Sequence, residues 1–532
     1  MLRTDVKKAA ALLTCAPVVA YALLAGFHVP SQRAMIMVLA FLFSLILGRE
    51  KEVWSTLALA GLLILALDPR ALFSTSFHLS FAAVTGILII TPAVMEWLPG
   101  RTGSGLTRRL CLYLGGLIIV SVAATLFVLP LVSHYFHRIS LVTVPANVTV
   151  IPILGLWIIP LGFLSAVTLP LSGTFAGLLL QLGGWGLKSM TAIIRFWADL
   201  PGASIWVPAP NTLEIALLYA MLTALLFHRR SLWIKWGVFV LCLILLLDIG
   251  YWTHRVRFNR DLRITYLDVG QGNAALVEFP RGKKMLIDGG GFPGDHFDVG
   301  QGVVAPFLWH SKISQIHYLV LSHPQADHMN GLRFIAKAFD PEEFWHNGVE
   351  VSTATYRELM DIVASRQIRQ CLPKGLAEGR EINGARVDLL HPLPGIVPKR
   401  PSERRGDLNN GSLVLKIACA GRSFLFPGDL EKEGEATLVS NAGQALQCHV
   451  LLSPHHGSRN SNSSPFLQKA RPRICVISSR GEHFFGFPHP ETLERLHRIG
   501  CRVLRIDQCG AVQCRVGPGG FEITTFLGDR RL

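Results

Sequence analysis

Ser322-His323-Pro324-Gln325-Ala326-Asp327-His328-Met329-Asn330-Gly331 follows residues 316–321, a β-branched and apolar run that reads as a buried strand. Two imidazoles and a carboxylate therefore emerge together at a strand end. Neutral imidazole and carboxylate are the usual ligands of a borderline or hard divalent cation. A His followed four and five residues later by an Asp-His pair lets one short loop feed two adjacent metal positions. A solvated polar loop is the plain alternative, and what lies on either side of this stretch decides between them.

The surroundings are of two kinds. Of the chain's 51 Lys and Arg and 36 Asp and Glu, the first 252 residues hold only 16 and 8. Half of all residues are apolar and the mean hydropathy is +0.39. Such a division predicts a membrane domain over residues 1–252 and a soluble domain over 253–532, in keeping with a length beyond the usual single domain. The net charge of +15 is shared almost evenly between the parts. In the first, it reads as loop anchoring by the positive-inside rule; in the second, as a mild pull on a polyanionic partner. The ten cysteines form no CxxC pattern, so a metal argument rests on His and Asp. Cys15, Cys111 and Cys242 lie in apolar runs and read as core hydrophobes. Cys509 and Cys514 flank an expected turn and would pair in an oxidising compartment.

Apolar runs occur at residues 9–27, 34–47, 54–67, 77–94, 110–132, 141–163, 174–197, 213–227 and 232–252. Several fall short of the roughly 20 residues that a lone spanning helix needs, which suggests a bundle of about seven to nine helices. The first run reads as a retained span, not a cleaved signal. Pro145, Pro152, Pro160 and Pro170 predict a broken helix, which a bilayer tolerates where protein or a water-filled cavity satisfies the freed backbone. Both a conduit wall and a Pro-kinked structural helix fit. His78, Glu214 and Asp248 sit close enough to run ends to be interfacial. Loops rich in basic residues (Arg3, Lys7, Lys8; Arg49, Lys51; Arg101, Arg108, Arg109; Arg229, Arg230, Lys235) alternate with loops bearing only Arg33, Arg70 or Arg138. That alternation puts the N-terminus in the cytoplasm and, after nine spans, the soluble domain outside. Arg255, Arg257, Arg260 and Arg263 after the last span pull the other way.

From Leu262 the period changes. Strands are predicted at 263–268, 274–279, 284–288, 316–321, 386–390, 413–418, 423–426, 449–452, 474–478 and 502–506, with helices at 331–338, 353–366, 433–441 and 491–499. Two sheets between helical layers accommodate that mixture. Polar groups recur at strand ends: Asp288 before Gly289-Gly290-Gly291, Asp429 after Pro427-Gly428, and the His455-His456 pair before Gly457. Each alone is an ordinary turn or surface feature. With His323, Asp327 and His328 they are enough for a dinuclear site, with Asp429 the bridging carboxylate and Asp327 and Asp429 the catalytic candidates. Two cations sharing a water lower its pKa, so the chemistry is hydrolysis at a phosphoryl or acyl centre.

From Leu262 onward the chain resembles the metallo-β-lactamase fold, whose central motif is HxHxDH followed by a distant GD and a distant HG. More closely, it resembles the ComEC family of bacterial DNA-internalisation proteins, in which a membrane competence domain precedes such a hydrolase. The residues that carry this are Leu267-Asp268-Val269-Gly270-Gln271-Gly272, Leu286-Ile287-Asp288-Gly289-Gly290, the 322–331 stretch, Asn409-Asn410-Gly411-Ser412-Leu413-Val414, Phe426-Pro427-Gly428-Asp429 and Pro454-His455-His456-Gly457-Ser458. In the membrane part, Phe77-His78-Leu79-Ser80-Phe81-Ala82-Ala83 is similar to the family's FQLSFxA segment, and Pro145-Ala146-Asn147 with Pro152 to its Asn…Pro re-entrant region.

The resemblance implies an αββα metallo-β-lactamase-like domain behind a polytopic α-helical membrane domain. It implies one or two divalent ions, Zn or Mn, on His323, Asp327, His328, Asp429, His455 and His456, with Asp288 and His489 as further possible ligands. It also implies inward passage of single-stranded DNA, degradation of the other strand of the duplex, a multi-pass place in the bacterial cytoplasmic membrane, and other DNA-uptake proteins as partners. No nucleotide-binding loop is visible, so a pulling ATPase would be one of those partners. There are departures. Gln325 stands where the wider superfamily has its second His and this family commonly Asp, and Asn273 where the family reads GQGD. His483-Phe484-Phe485-Gly486-Phe487-Pro488 replaces NxYGHP, with His489 near enough to compensate. The family's N-terminal OB-like domain and first membrane segments do not precede Met1, so either the start was assigned downstream or the version is shortened. Two rivals stay open: a membrane-anchored metallohydrolase that conducts nothing, and a channel with an inactive hydrolase domain.

Overall fold

The computed structural model describes residues 2–27, 29–48, 53–95, 105–227, 232–294, 297–393, 405–481 and 486–527. His483, Phe484 and Phe485 lie outside the described residues, as do the topology-bearing Arg49, Lys51, Arg101, Arg229 and Arg230. The chain divides into two units, Met1–Ile205 with Leu218–Lys235, and Trp206–Leu217 with Trp236–Leu532.

The first unit is helical. Among the described residues of the whole chain, five helices are long and apolar enough to cross a membrane: Val6–Leu24, Thr75–Met95, Arg109–Phe136, Thr143–Thr168 and Trp233–Arg257. Pro30–Ile46, Val53–Leu67 and Thr212–Leu225 are shorter apolar helices. Helices Thr75–Met95 and Leu106–Phe136 meet at Gly86, where an added Cβ would stand 2.6 Å from the Phe127 Cβ. Close approach through a small residue is how apolar helices associate when lipid is as apolar as they are. Ile90, Ala123 and Phe127 form the buried contact, and Tyr219 donates its hydroxyl to the Phe127 carbonyl at 2.7 Å.

The proline-rich stretch is continuous helix through Pro145, Pro152 and Pro160 and ends just before Pro170. Thr143–Ile153 runs through a π turn, Leu154–Ile158, into Ile159–Thr168. In that turn the Ile159 N–H reaches back to the Leu154 carbonyl, which shifts the hydrogen-bond register just ahead of Pro160, where an α-helical donor would be missing. Nor are the membrane cysteines core groups: Cys111 is exposed, and Cys15 and Cys242 are half-buried.

In the second unit, two sheets face each other. One has eight strands, in the spatial order Gly520–Thr525, Val512–Gly517, Leu262–Tyr266, Ala275–Glu278, Lys284–Ile287, Tyr318–Leu321, Glu343–His346, Arg369–Cys371. The other has seven: Arg502–Arg505, Ile474–Ile477, Val450–Leu452, Arg422–Phe426, Val414–Cys419, Ala385–His391, Arg380–Ile382. Ile264, Met285, Trp345, Ile417, Phe424 and Val476 belong to one continuous core between them. Separate apolar clusters lie under the helices on each outer face, for example Leu286 and Leu319 with Leu332 and Leu359, and Leu425 and Leu451 with Leu438 and Phe466. The predicted αββα sandwich is therefore what forms. Cys509 and Cys514 are free thiols: Cys514 is buried between the sheets, while the Cys509 thiol donates to the Arg505 carbonyl at 2.9 Å.

Each sheet contains a parallel run, Lys284–Ile287 through Arg369–Cys371 in the first and Arg422–Phe426 through Arg502–Arg505 in the second. Parallel strands end on the same edge, and in such sheets ligand-bearing loops collect beyond the C-terminal ends. Asp288, His323, Asp429, His455 and Ser478 each follow directly or within three residues of such an end.

Candidate metal centre

Asp327, His328, Asp429 and His456 offer ligand atoms that all lie within 4.8 Å of one another. His328 Nε2 is 3.1 Å from Asp429 Oδ1, and His456 Nε2 is 3.3 Å from both Asp429 Oδ2 and Asp327 Oδ2. None of these approaches is a hydrogen bond. Both Nε2 atoms and both Asp429 oxygens are buried without a hydrogen-bond partner among the described residues. Four buried polar atoms at ion-pair distance, with no formed hydrogen bond among them, are costly unless charge or a cation joins them. A divalent ion resolves that cost, because ligands about 2.1 Å from a tetrahedral centre lie about 3.4 Å apart. The donor set, two imidazoles and two carboxylates, suits the ions expected from the sequence.

The backs of the two rings explain their orientation. His328 Nδ1 donates to Asp288 Oδ2 at 2.8 Å, and His456 Nδ1 donates to the Ser478 carbonyl at 3.0 Å. With the proton held on Nδ1, Nε2 keeps its lone pair toward the cluster. Asp288 is itself fixed: Oδ1 accepts from Ser322 N and Oδ2 from Ser322 Oγ, both at 2.8 Å. Asp288, His455 and His456 all have left-handed backbone, at φ 59°, 50° and 54°. Strain of that kind at non-glycine residues gathers where function holds it. Gly272, at φ 106°, lets the Asp327 loop close over it; a Cβ there would overlap the Asp327 carbonyl.

Charge is tightly coupled within the cluster. Burial disfavours the His328 imidazolium, but Asp429 and Asp288 outweigh it and hold its pKa well above the ordinary value. Burial acts likewise on His456, and Asp429 and Asp327 push it up to about 9. Burial would raise Asp327 and Asp429, yet the facing histidines bring Asp327 down to about 2 and hold Asp429 well below the usual carboxylate range. His323 is the opposite case, because burial and then the neighbouring His328 charge lower it to about 4.

The other expected ligands stand around this set. His323 is fully buried, its ring centroid 4.2 Å from that of His328 and its Nδ1 facing Ser322 Oγ at 3.0 Å and Ser412 Oγ at 3.4 Å. His455 Nε2 is 4.0 Å from Asp429 Oδ2, and its Nδ1 is 3.4 Å from Glu431 Oε1. Asp288 lies behind His328, its oxygens taken by His328 and Ser322, and so backs a ligand position without joining it. His489 caps helix Pro490–Arg498 by accepting from Glu491 N at 3.3 Å, outside the four-residue set.

Sequence reading gave no role to Glu431, Ser478, Ser322 or Ser412, although Ser322 and Ser412 lie within the quoted motifs and Ser478 ends a predicted strand. Gln325, at the position of the absent histidine, donates its amide to Asn409 Oδ1, and Asn409 Nδ2 donates to Glu431 Oε1 at 3.0 Å. Gln325, Asn409, Glu431 and His455 thus make a polar rim. Phe487 packs edge-on against His455 at 5.7 Å between ring centroids. Asn273 is buried with both side-chain amide atoms unpartnered among the described residues, while its N–H donates to the Asp327 carbonyl at 3.2 Å.

Comparison with known proteins gives two family matches. Residues 1–232 match the competence protein family and residues 267–481 the metallo-beta-lactamase superfamily. ComE operon protein 3 of Bacillus subtilis (strain 168) is 27% identical over 93% of this chain and 62% of its own length. Competence protein ComA of Neisseria gonorrhoeae is 30% identical over 96% of this chain and 65% of its own length. Uncharacterized protein YcaI of Escherichia coli (strain K12) is 26% identical, over 95% and 61%. The chain thus spans less than two thirds of the length of these relatives.

Proposed function

We propose that the chain, whose two parts match the competence and metallo-β-lactamase families, carries single-stranded DNA inward across the bacterial cytoplasmic membrane during natural transformation. Residues 1–252 form the membrane passage; residues 253–532 form an extracytoplasmic hydrolase that degrades the strand left outside. The observation that carries the hydrolase reading is the set of buried, unpartnered Nε2 and carboxylate atoms converging within 3.1–3.3 Å.

A divalent cation, Zn or Mn, held by Asp327, His328, Asp429 and His456 would supply Lewis-acid polarisation of a phosphodiester and activation of water at neutral pH. The chain's own residues do the rest. Asp288 and the Ser478 carbonyl orient the two imidazoles. Asp429 turns one oxygen to each of them. Asp327 and His455, each about one-fifth exposed, face the open side where substrate arrives. A stacked, charged strand needs aromatic and basic groups along its path; in the helical unit a cavity of about 710 Å³ offers Phe136, Trp197 and one cation, Arg138, in an otherwise mostly apolar wall. Partner competence proteins, including a cytoplasmic ATPase, would supply the pulling force.

Two experiments test this. Full-length protein in detergent should contain Zn or Mn by elemental analysis and cleave a nicked-strand DNA reporter, and Asp429→Ala should lose both. Absence of metal and cleavage in the wild type, with normal transformation by His328→Ala, would leave the hydrolase inactive. Normal uptake of labelled DNA by a strain lacking the gene would reduce the membrane part to an anchor.

A further inference from the structure

Helix Leu232–Arg257 ends in a basic cavity that the metal chemistry does not use. The cavity holds about 710 Å³, and its wall carries Arg255, Arg260, Arg263 and Arg515 with a single carboxylate, Asp261. Part of this charge has an ordinary origin: basic residues favour helix C-termini and the ends of apolar spans. Arg515 has no such origin, because it comes from strand Val512–Gly517, more than 250 residues further along the chain.

The sheet brings it in at a cost. Arg515 is the direct register partner of Arg263 across an antiparallel pair, and like charges directly opposite destabilise a sheet. Asp261 relieves part of the repulsion, lying 2.7 Å from Arg515 and 3.5 Å from Arg263. Beside the wall, Glu522 lies 3.8 Å from Arg515 and Glu278 is the cross-strand partner of Arg263, so four guanidinium groups meet three carboxylates and keep one positive charge in excess. Arg255 lies over the Trp252 ring at 5.2 Å, and exposed Arg260 has no ion pair among the described residues. On the same wall, Tyr251 and Phe258 are 58% and 62% exposed at the end of an apolar helix. Aromatic rings in that position sit at headgroup level.

We propose that this cavity binds the phosphate of an anionic phospholipid headgroup and so clamps the hydrolase domain to the membrane surface beside the last span. Guanidinium groups from two directions suit a phosphate with several acceptor oxygens, and the flanking rings suit the acyl boundary. Nucleic-acid phosphate has the same charge, but the exposed aromatic collar at a helix end favours lipid. The inference stands whether or not the metal centre cleaves DNA.

The test uses full-length protein titrated with phosphatidylglycerol in a phosphatidylcholine background, with retained lipid counted by native mass spectrometry. Arg255→Gln/Arg260→Gln, both exposed, should raise the phosphatidylglycerol midpoint about thirtyfold, given the usual contribution of each basic residue at a membrane surface. Arg471→Gln/Arg473→Gln, equally exposed elsewhere on the domain, should leave it unchanged. Equal midpoints in all three proteins, or equal retention of phosphatidylcholine by the wild type, would overturn the proposal. So would a double variant that loses a single-stranded oligonucleotide but keeps its lipid midpoint, which would assign the cavity to nucleic acid.

Discussion

Replacing Asp288 by Asn asks whether the centre is built around a cation or around shared protons. Asp288 Oδ1 accepts from the backbone N–H of Ser322, whose position the strand fixes, while Oδ2 accepts from His328 Nδ1 and Ser322 Oγ, all at 2.8 Å. An Asn must keep its carbonyl oxygen on the Ser322 N–H, so its NH2 turns toward His328 Nδ1. The ring then accepts at Nδ1 and carries its proton on Nε2, where the lone pair toward Asp429 is needed. The fold survives, because Asn tolerates the φ of 59° at this position. Loss of a backing carboxylate typically weakens metal affinity 10- to 100-fold, or about 1.4–2.7 kcal/mol. The assay is Mn²⁺ titration of the full-length chain against a fluorescent chelator, with the thermal unfolding midpoint measured alongside. Asp268→Asn is the control, since exposed Asp268 accepts from Gly270 N instead. An affinity within about twofold of wild type, at an unchanged unfolding midpoint, would refute the idea that His328 is a ligand whose tautomer Asp288 sets.

Gly272→Ala should weaken Mn²⁺ binding more than it lowers the unfolding midpoint, because its Cβ would overlap the Asp327 carbonyl and push back that loop; strain at such a φ is worth about 1–3 kcal/mol. Glu343→Gln should cost about 2–3 kcal/mol in chemical denaturation and leave the metal titration intact, since buried Glu343 accepts from Trp345 Nε1 at 2.7 Å and Arg380 at 2.6 Å, and pairs with Arg369. His317 is lowered to about 4 by burial and then by Lys283, so it stays neutral in the folded chain at pH values where the unfolded chain takes up a proton. Its share of stability is thus present above about pH 6.5 and lost as pH falls toward 4, up to about 3 kcal/mol; His317→Gln should flatten that part of the unfolding-midpoint curve.

Much of this architecture was legible because each strand is apolar and ends in a polar cluster. The strands before Asp288, His323, Asp429 and the His455-His456 pair were all found from composition and turn residues, to within a residue or two of their ends. Strand Glu343–His346 was not found, since its charged first residue hides in a network that only the fold assembles: Arg369, Arg380 and Cys371 come from later in the chain. The terminal hairpin Val512–Gly517 and Gly520–Thr525 was overlooked although Val512, Cys514 and Val516 alternate with polar residues. A disulfide reading of Cys509 and Cys514 took the place of that alternation. In the membrane part, four prolines suggested a broken helix; a π turn carries the helix on ahead of Pro160, and only Pro170 stands past its end at Thr168.

The site shows where sequence reading stops for a physical reason. Residue type and strand-end position pointed to six ligands, His323, Asp327, His328, Asp429, His455 and His456, of which only Asp327, His328, Asp429 and His456 offer atoms within 4.8 Å of one another. Which carboxylate faces the cluster and which stands behind it is a property of direction. Asp288 and Asp429 have nearly the same local sequence, an acid beside glycine after an apolar strand, yet Asp429 turns both oxygens to the imidazoles while Asp288 turns its own to Ser322 and the back of His328. Asp288 follows its strand end directly with left-handed backbone at φ 59°, whereas Asp429 stands three residues beyond its strand, after Gly428 with that same φ. A carboxylate behind the ring and another before it make His328 at once an oriented neutral ligand and, when no cation is held, a strongly basic one. Cation binding should therefore release protons, and a calorimetric titration in buffers of different ionisation enthalpy should read that release directly. Binding enthalpies independent of buffer would mean that the imidazoles were never charged, and that the two carboxylates do not control His328 as argued.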